Sequence, residues 1–372
     1  MRYKKDDILL FACIEKNIGD DLFIQTICNR YPEKYFVISN RAKYGSLANV
    51  KNLKFSKELE WWMILDSVSQ KKKIKKMIAN TMKVVLQLLL GKHDMGVYIV
   101  GNAFKNMDYH GETQLQWFVN RVKLSDEFYL ISTNFGPFND QRWVMDAKNR
   151  FIEVKDICFR DMQSYNLFAE LPNTRYAPDA ILSLGKQKNK RHKRKVLVSI
   201  IDCSFYARED WLKKLVNEYE KKIFEIIQEF ERRGYEIVLI NSNSEQDGPA
   251  SRRIFEKCNS SAVSIYDYKG SLDELKELYE ETMYVIGTRL HTIILAWLYD
   301  VPVYPLVYDI KVENMLKSYS YQGGYTHIKE VSQLAVYTVL ETLESGECRI
   351  NDKVIADANM QFSALDERVN NE

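Results

Sequence analysis

The segment Val196–Asn241 reads VLVSIIDCSFYAREDWLKKLVNEYEKKIFEIIQEFERRGYEIVLIN. Its two ends, Val196–Ile201 and Glu236–Asn241, are short apolar runs that predict buried strands. Between them, Trp211–Arg232 repeats apolar residues every three or four positions, which predicts one helix with an apolar stripe. Gly234 ends that helix two residues before the second strand. A strand, a helix and a further strand in this order predict a doubly wound α/β fold with a parallel sheet.

The same alternation of apolar strands and helical segments occurs along the rest of the chain. Because the chain has 372 residues, we expect two domains of ordinary size. The run Lys186–Lys195 (KQKNKRHKRK) contains seven Lys or Arg and is typical of a solvated linker. We therefore predict an N-terminal domain at 1–185, a basic linker at 186–195, a C-terminal domain at 196–350 and a tail at 351–372. Further strands are predicted at Ile8–Cys13, Tyr35–Ser39, Val97–Gly101, Phe128–Thr133, Ile157–Phe159, Val263–Tyr266, Tyr284–Gly287 and Val303–Leu306.

The composition excludes several classes of protein. The 53 basic and 51 acidic side chains leave a net charge of +2, which argues against a nucleic-acid-binding protein. The six cysteines form no CxxC pair, so no metal site or disulfide scaffold is expected, and scattered thiols fit a cytoplasmic protein. The apolar run Ile8–Ile14 is interrupted by Glu15 and Lys16, so we interpret it as a strand and not as a signal peptide.

Two basic stretches leave alternatives open. Lys71–Lys76 leads into the apolar segment Met77–Leu90, which predicts either an amphipathic helix at a membrane surface or a core helix behind exposed lysines. The run Lys186–Lys195 is either the linker described above or a basic face toward anionic lipid or a phosphorylated acceptor. Both stretches favour peripheral contact with an anionic membrane at its inner face, as a hypothesis.

The segment with the most chemical information is Tyr284–Leu316, YVIGTRLHTIILAWLYDVPVYPLVYDIKVENML. A strand ends at Gly287, Thr288 can cap, and an apolar helix begins near Arg289. His291 follows in the first turn of that helix. Both polar side chains are therefore expected at the carboxyl edge of a parallel sheet, where ligands bind in open α/β folds.

This position suits an anion. Unpaired backbone N–H groups and the helix dipole favour negative charge at a helix N-terminus. The guanidinium of Arg289 can bind a carboxylate or phosphate through two hydrogen bonds, and His291 can donate or accept a proton near neutral pH. Asp309 and Lys311 follow the next strand and return to the same edge. The simpler interpretation is that Arg289 pairs with a carboxylate and that His291 is structural.

The pattern G-x-R-x-H at 287–291, followed by V-P-V and a Y-D-x-K turn, resembles the C-terminal signature of the polysaccharide pyruvyl transferase family. Other segments resemble further motifs of that family and occur in the family's order. They are Asn17–Asp21 (NIGDD), Ile131–Phe138 (ISTNFGPF), Phe159–Asp161 (FRD) with Ser164, and Tyr176–Leu184 (YAPDAILSL) with Asp179 as the acid.

The resemblance implies two Rossmann-like domains that face each other across a cleft, as in GT-B glycosyltransferases. It implies a transferase with phosphoenolpyruvate as donor substrate and no separate cofactor. The acceptor would be a sugar of a surface glycan or of its lipid-linked precursor. The product would be a pyruvate ketal that bridges two hydroxyl groups.

On this resemblance, the candidate residues take roles in donor and acceptor binding. His291 is the candidate acid that protonates the donor, and Arg289 is the candidate ligand of the donor's anionic groups. Thr288 and Lys311 are further candidates for the donor side. On the acceptor side, three residues of the loop after the first strand can orient hydroxyl groups or act as base, or can merely form a turn that caps the next helix. They are Asn17, Asp20 and Asp21.

One departure from the family pattern affects the donor site. Many members have an arginine at the end of the first strand of the C-terminal domain, whereas this chain has VSIIDC at Val198–Cys203. Arg208 is the candidate substitute, and Asn241, Asn243 and Asp247 are further cleft candidates. The alternatives are a GT-B glycosyltransferase that uses a nucleotide sugar and a non-catalytic glycan-binding homologue.

Overall fold

The chain folds into two compact units of parallel sheet and helices. The computed structural model describes residues 3–68, 73–106, 111–190, 194–205 and 210–371. The first unit extends to Ser183 and resumes at Asp357, and the second unit contains Leu184–Ala356. The short segment Glu15–Gly19 belongs to the second unit, although it lies early in the sequence.

The first unit contains a seven-stranded sheet and a two-stranded sheet. Its strands are β1 (Ile8–Phe11), β2 (Phe36–Ser39), β3 (Leu53–Ser56), β4 (His93–Ile99), β5 (Phe104–Asn106), β6 (Ser125–Thr133), β7 (Phe135–Phe138), β8 (Asp156–Phe159) and β9 (Thr174–Tyr176). The large sheet has the order β3-β2-β1-β4-β6-β8-β9, and its strands pair in parallel. The helices are α1 (Ile18–Arg30), α2 (Lys57–Val68), α3 (Lys73–Leu90), α4 (Gly111–Val122), α5 (Gln141–Phe151) and α6 (Met162–Phe168).

The second unit contains a six-stranded parallel sheet in the order β12-β11-β10-β13-β14-β15. Its strands are β10 (Lys195–Ser199), β11 (Glu236–Asn241), β12 (Val263–Asp267), β13 (Tyr284–Gly287), β14 (Val303–Val307) and β15 (Thr326–His327). Its helices are α7 (Asp210–Lys214), α8 (Val216–Arg232), α9 (Ser244–Cys258), α10 (Leu272–Glu280), α11 (Leu290–Leu298), α12 (Ile310–Ser318), α13 (Val336–Glu344) and α14 (Asp352–Asp357). The last helix, α15 (Ser363–Asn370), belongs to the first unit.

The predicted unit Val196–Asn241 is present as β10, α8 and β11, and the helix deviates from the prediction in one place. The expected single helix Trp211–Arg232 is broken at Leu215, whose N–H bonds to the carbonyl of Leu212, three residues back. Such an i→i−3 bond tightens the turn and separates α7 from α8. The predicted stripe of α8 is buried, and Gly234 with φ +77° follows its end.

The predicted tail at 351–372 contains the helices α14 and α15. From Asp357 onward the chain packs on the first unit, and Ala358, Phe362 and Leu365 are buried. Ala358 and Phe362 are the ends of a 3₁₀ helix, and Leu365 lies in α15, which follows it directly. Gln361 is also fully buried there, and it accepts a hydrogen bond from the N–H of Ser132 at 2.9 Å.

The basic run at 186–195 is anchored on the second unit in its described part. Lys186 pairs with Asp352 and Lys190 pairs with Glu280, each at 2.6 Å. These carboxylates offset part of the positive charge of the run.

The sequence did not predict the short strands β3, β5, β7, β9 and β15. Within the described part of the chain, no helix is both long and apolar enough to cross a bilayer.

Candidate functional site

The junction between β13 and α11 carries the polar residues predicted from the sequence. The strand ends at Gly287, and Arg289 occupies the N-cap position of α11 with an extended backbone. The predicted cap, Thr288, does not fill that position. Its side chain is fully buried, and its hydroxyl lies 3.1 Å from that of Tyr219, which leaves no part of it open to a ligand.

The guanidinium of Arg289 is held by a buried carboxylate. Its Nε donates to Oδ2 of Asp247 at 3.1 Å, and its Nη2 contacts Oδ1 of the same carboxylate. Nη2 also donates to Gln246 at 3.2 Å, and Nη1 lies 3.4 Å from the hydroxyl of Tyr308. Arg289 is 9% exposed and Asp247 is 0% exposed, so the pair is buried. Its positive charge is therefore matched before any ligand binds.

Burial raises the pKa of the Asp247 carboxyl, and the adjacent guanidinium of Arg289 opposes that rise. An isolated carboxylate at this depth would be costly, so the pair is favoured only while both partners are present. Asp247 thereby fixes the direction in which the guanidinium points. Asp247 was predicted from the sequence as a residue of the ligand-binding cleft. In the structure it is the ion-pair partner of Arg289.

A buried group of hydroxyls fixes the start of α11. The side chain of Ser199, at the end of β10, accepts from the backbone N–H of Arg289 at 3.2 Å and from Thr292 at 3.3 Å. Ser242, just after β11, lies 3.3 Å from the same Thr292 hydroxyl. These residues were not predicted from the sequence, although their positions at strand ends were a usable signal. They hold the backbone at Arg289 and the adjacent turn in place.

His291 is partly exposed and lies against the segment Glu15–Gly19, which belongs to the same unit. A methyl group built on Gly19 would overlap the imidazole ring of His291. The segment is anchored by the N–H of Ile18, which donates to the carbonyl of Ser242 at 3.2 Å, and by Asn243, which donates to the carbonyl of Glu15 at 3.3 Å. The early N-x-G-D motif therefore reaches the helix that carries His291.

The predicted acceptor residues are divided between the two units. The side chain of Asn17 accepts from the N–H of Gly19 at 3.0 Å and shapes the turn beside His291. Asp20 and Asp21 belong to the first unit, where Asp21 is fully buried and accepts a hydrogen bond from Tyr44. Asp20 is partly exposed. Of the three, only Asn17 is grouped with His291.

Lys311 returns to the edge that carries Arg289, as predicted. Asp309 caps α12 by accepting from the N–H of Lys311 at 3.0 Å. The ammonium of Lys311 lies 3.4 Å from Asp309 and 5.8 Å from the ring centre of Tyr308. Because Tyr308 also contacts Arg289, the two cations share one aromatic neighbour.

At the strand end where the family has an arginine, this chain has a carboxylate with a guanidinium from α9. Asp202 is buried, and Nη2 of Arg253 lies 3.2 Å from it. Arg253 also pairs with Glu220 at 2.5 Å. The predicted substitute, Arg208, lies outside the described residues. Arg253 was not predicted from the sequence, because no local pattern connects it to β10.

The first unit has its own polar cluster at the carboxyl ends of its strands. Arg160, after β8, donates to Asp179 at 2.7 Å and to Asn134 at 2.8 Å. Burial raises the pKa of Asp179, and Arg160 opposes the rise. A methyl group on Gly101 would come within 2.7 Å of the Arg160 guanidinium, so a larger residue there would have to displace it. Arg160, Asp179 and Asn134 come from the motifs that carried the family resemblance. Their hydrogen bonds connect the segments that follow β6, β8 and β9.

Asp161 has a separate, structural part in the same cluster. Its side chain caps α6 by accepting from the N–H and the hydroxyl of Ser164, at 2.7 and 3.0 Å. The Ser164 hydroxyl in turn accepts from the N–H of Phe135 at 2.8 Å.

Among the residues whose placement is described, no group of three His, Cys, Asp or Glu could hold a metal ion.

Comparisons with known proteins agree on family and fold. The model of the polysaccharide pyruvyl transferase family matches residues 17–310. A comparison with curated proteins gave no match. The chain is similar to a Listeria monocytogenes structure assigned as a UDP-N-acetylglucosamine 2-epimerase, with 13% identity, a TM-score of 0.54 and coverage of 100% of this chain and 98% of that one.

It is also similar to a glycosyltransferase from Rickettsia africae ESF-5, with 10% identity, a TM-score of 0.50 and coverage of 98% of this chain and 99% of that one. At such low identity the likeness concerns the fold alone. With the two parallel sheets, it confirms the predicted class of two Rossmann-like α/β bodies of the GT-B type.

Proposed function

Because the chain belongs to the polysaccharide pyruvyl transferase family, we propose that it transfers the enolpyruvyl group of phosphoenolpyruvate to a sugar of a surface glycan or its lipid-linked precursor. The observation that carries this proposal is the Arg289–His291 pair in the first turn of α11, at the carboxyl edge of the second unit's sheet. A helix N-terminus with a guanidinium and an imidazole suits a substrate that carries both a carboxylate and a phosphate.

The reaction requires one proton donor and two proton acceptors. His291 protonates the methylene carbon of the donor, and the adjacent carbon becomes cation-like. A sugar hydroxyl attacks that carbon and loses its proton to an oxygen of the phosphate group. The carbon–oxygen bond to phosphate then breaks, and inorganic phosphate leaves. The second hydroxyl attacks the same carbon, returns a proton to His291 and closes the ketal. General acids of this kind typically contribute about 10²–10⁴-fold to the rate.

Arg289 binds the anionic donor, with Asp247 as the positioning residue that aims the guanidinium. Lys311 supplies a second positive charge at the same edge. Asn17 orients an acceptor hydroxyl beside His291. A preorganised cation acts here because it need not reorient as charge develops.

Calorimetric titration with phosphoenolpyruvate tests the proposal. We expect saturable binding by the wild type, at least tenfold weaker binding by Arg289→Lys, and nearly unchanged binding by His291→Gln. His327→Gln is the matched control, since it changes a partly exposed histidine elsewhere in the second unit. Lysine replaces arginine because alanine would leave Asp247 buried without its cation. A folded wild type that does not bind phosphoenolpyruvate contradicts the proposal.

Two observations favour a non-catalytic homologue as the second candidate. The strand end that carries an arginine in many family members has Asp202, and the charge of Arg289 is already matched by Asp247. A glycan-binding protein without turnover would tolerate both features. A parallel titration with uridine diphosphate distinguishes the pyruvyl transferase and the non-catalytic homologue from a glycosyltransferase. A glycosyltransferase would bind the nucleotide and not phosphoenolpyruvate.

A further inference from the structure

The outer face of α3 is apolar and exposed. Seven large apolar side chains of this helix are at least half exposed, whereas its inward residues Ala79 and Leu90 are 3% and 4% exposed. The seven are Met77 (68%), Ile78 (55%), Met82 (50%), Val84 (56%), Val85 (52%), Leu88 (75%) and Leu89 (59%). At about 100° per residue they lie within one arc of roughly 160°. We refer to these seven residues as the α3 face.

The α3 face is not needed to cover the sheet. The main contacts of α3 are with α2, which itself packs against β2. On the inner side, Lys83 pairs with the buried Asp66 and lies over the ring of Trp62. Within the arc, the polar side chain of Thr81 bonds back to the carbonyl of Met77 at 3.1 Å. An exposed apolar surface made of seven large side chains on one helix face marks an interaction site in a folded protein.

The charge of the same segment indicates what covers the face. Residues 67–93 contain seven lysines and no aspartate or glutamate, in a chain whose net charge is +2. Lys83 and Lys92 pair with carboxylates of the first unit, and the other five lysines occupy positions 71, 72, 73, 75 and 76. An apolar helical face that follows a run of lysines in the sequence suits the boundary of a bilayer that contains anionic lipid.

We propose that the α3 face binds the surface of an anionic phospholipid bilayer, with the helix in the plane of the interface, and that the positive charge of the lysines before Met77 in the sequence adds to the attraction. A second copy of this chain fits less well, because it would bring two lysine clusters together with no acidic residue in either segment to offset them. The 18 residues of α3 span about 27 Å, so the helix lies along the surface. The inference does not depend on the reaction proposed above.

Flotation with lipid vesicles tests this inference on the full chain. We expect binding to vesicles of 70% phosphatidylcholine and 30% phosphatidylglycerol and none to pure phosphatidylcholine. Leu88→Asp with Leu89→Asp is expected to weaken binding at least tenfold, because two charges enter the apolar face. The matched control is Met145→Asp with Ile152→Asp, two residues exposed by 58% and 62% elsewhere in the first unit.

A second pair of variants tests the lysines. Changing Lys71, Lys72, Lys75 and Lys76 to Gln is expected to weaken binding at least a hundredfold, since each lysine near an anionic surface contributes about fivefold. Lys186, Lys188, Lys190 and Lys193 to Gln is the control for equal loss of charge in the other basic stretch. Wild-type protein that ignores anionic vesicles, or Asp and Gln variants that bind as the wild type does, would overturn the inference. Self-association without lipid that the Asp variants abolish would assign the face to a second copy.

Discussion

Gly19 lies against the imidazole of His291, so closely that a methyl group at position 19 would overlap the ring. The two residues are far apart in sequence but belong to the same compact unit. Asn17 stabilises the turn by accepting from the N–H of Gly19. The glycine of the N-x-G-D motif is thus required for space beside the proposed acid.

Gly19→Ala is expected to displace His291 and to lower transferase activity at least tenfold, since a shift of about 1 Å in a catalytic group can cost about 100-fold. Gly248→Ala is the matched control, because the atoms nearest to its added methyl group would be those of the flexible end of Arg252, at 3.0 Å and beyond. The ring signals of His291 in proton NMR should move in Gly19→Ala and stay in Gly248→Ala. Unchanged ring signals in Gly19→Ala would contradict the packing described above.

The buried pair of Arg289 and Asp247 should show strong coupling in a double-mutant cycle. Arg289→Met or Asp247→Leu alone is expected to destabilise the second unit by about 3–5 kcal/mol, since each leaves one buried charge unpaired. The double variant is expected to be more stable than the sum of the single effects by at least about 1 kcal/mol. Denaturant unfolding followed by circular dichroism measures this, and additive effects would show that the pair is not coupled.

The C-terminal segment should stabilise the first unit through Gln361. Its Nε2 donates to the carbonyl of Ala177 at 2.6 Å, and its Oε1 accepts from the N–H of Ser132 at 2.9 Å. Gln361→Ala leaves both backbone groups unsatisfied, and we expect a loss of about 2–4 kcal/mol in the free energy of unfolding. Gln322→Ala, at an exposed position, should change it by less than about 0.5 kcal/mol. Equal effects of the two substitutions would contradict this role.

The buried cysteines should resist alkylation at pH 8. Burial raises the pKa of Cys28, Cys158 and Cys203 to about 12, so only about one thiol in 10⁴ is ionised at that pH. Iodoacetamide labelling followed by mass spectrometry should therefore be at least about 10³-fold slower at these residues than in guanidinium chloride, where burial is lost. Fast labelling of Cys28 in folded protein would contradict its burial.

The sequence predicted the elements that depend on local pattern. Continuous apolar runs identified strands such as β10 and β11, and helical spacing identified the buried stripe of α8. The strand-to-helix junction at Gly287 placed Arg289 and His291 at the carboxyl edge of a sheet. The family motifs extended this prediction over about residues 17–316, and the family comparison, which matches residues 17–310, confirmed the family.

Local pattern was insufficient where a side chain finds its partner through the fold. It could not show that Leu215 interrupts the predicted helix, because the apolar spacing continues across the break. It also could not connect Arg253 on α9 with Asp202 at the end of β10. Both features depend on how the helices pack against the sheet.

By itself, the sequence determined the alternation of strands and helices, the family and the position of the Arg289–His291 pair. Only the tertiary structure decided that Arg289 is held by Asp247, that Gly19 packs on His291 and that the chain after Asp357 returns to the first unit. The physical reason is the separation along the sequence of the residues that interact. Strand and helix signals arise between residues a few positions apart, whereas these contacts join distant segments that meet only after the sheets have formed.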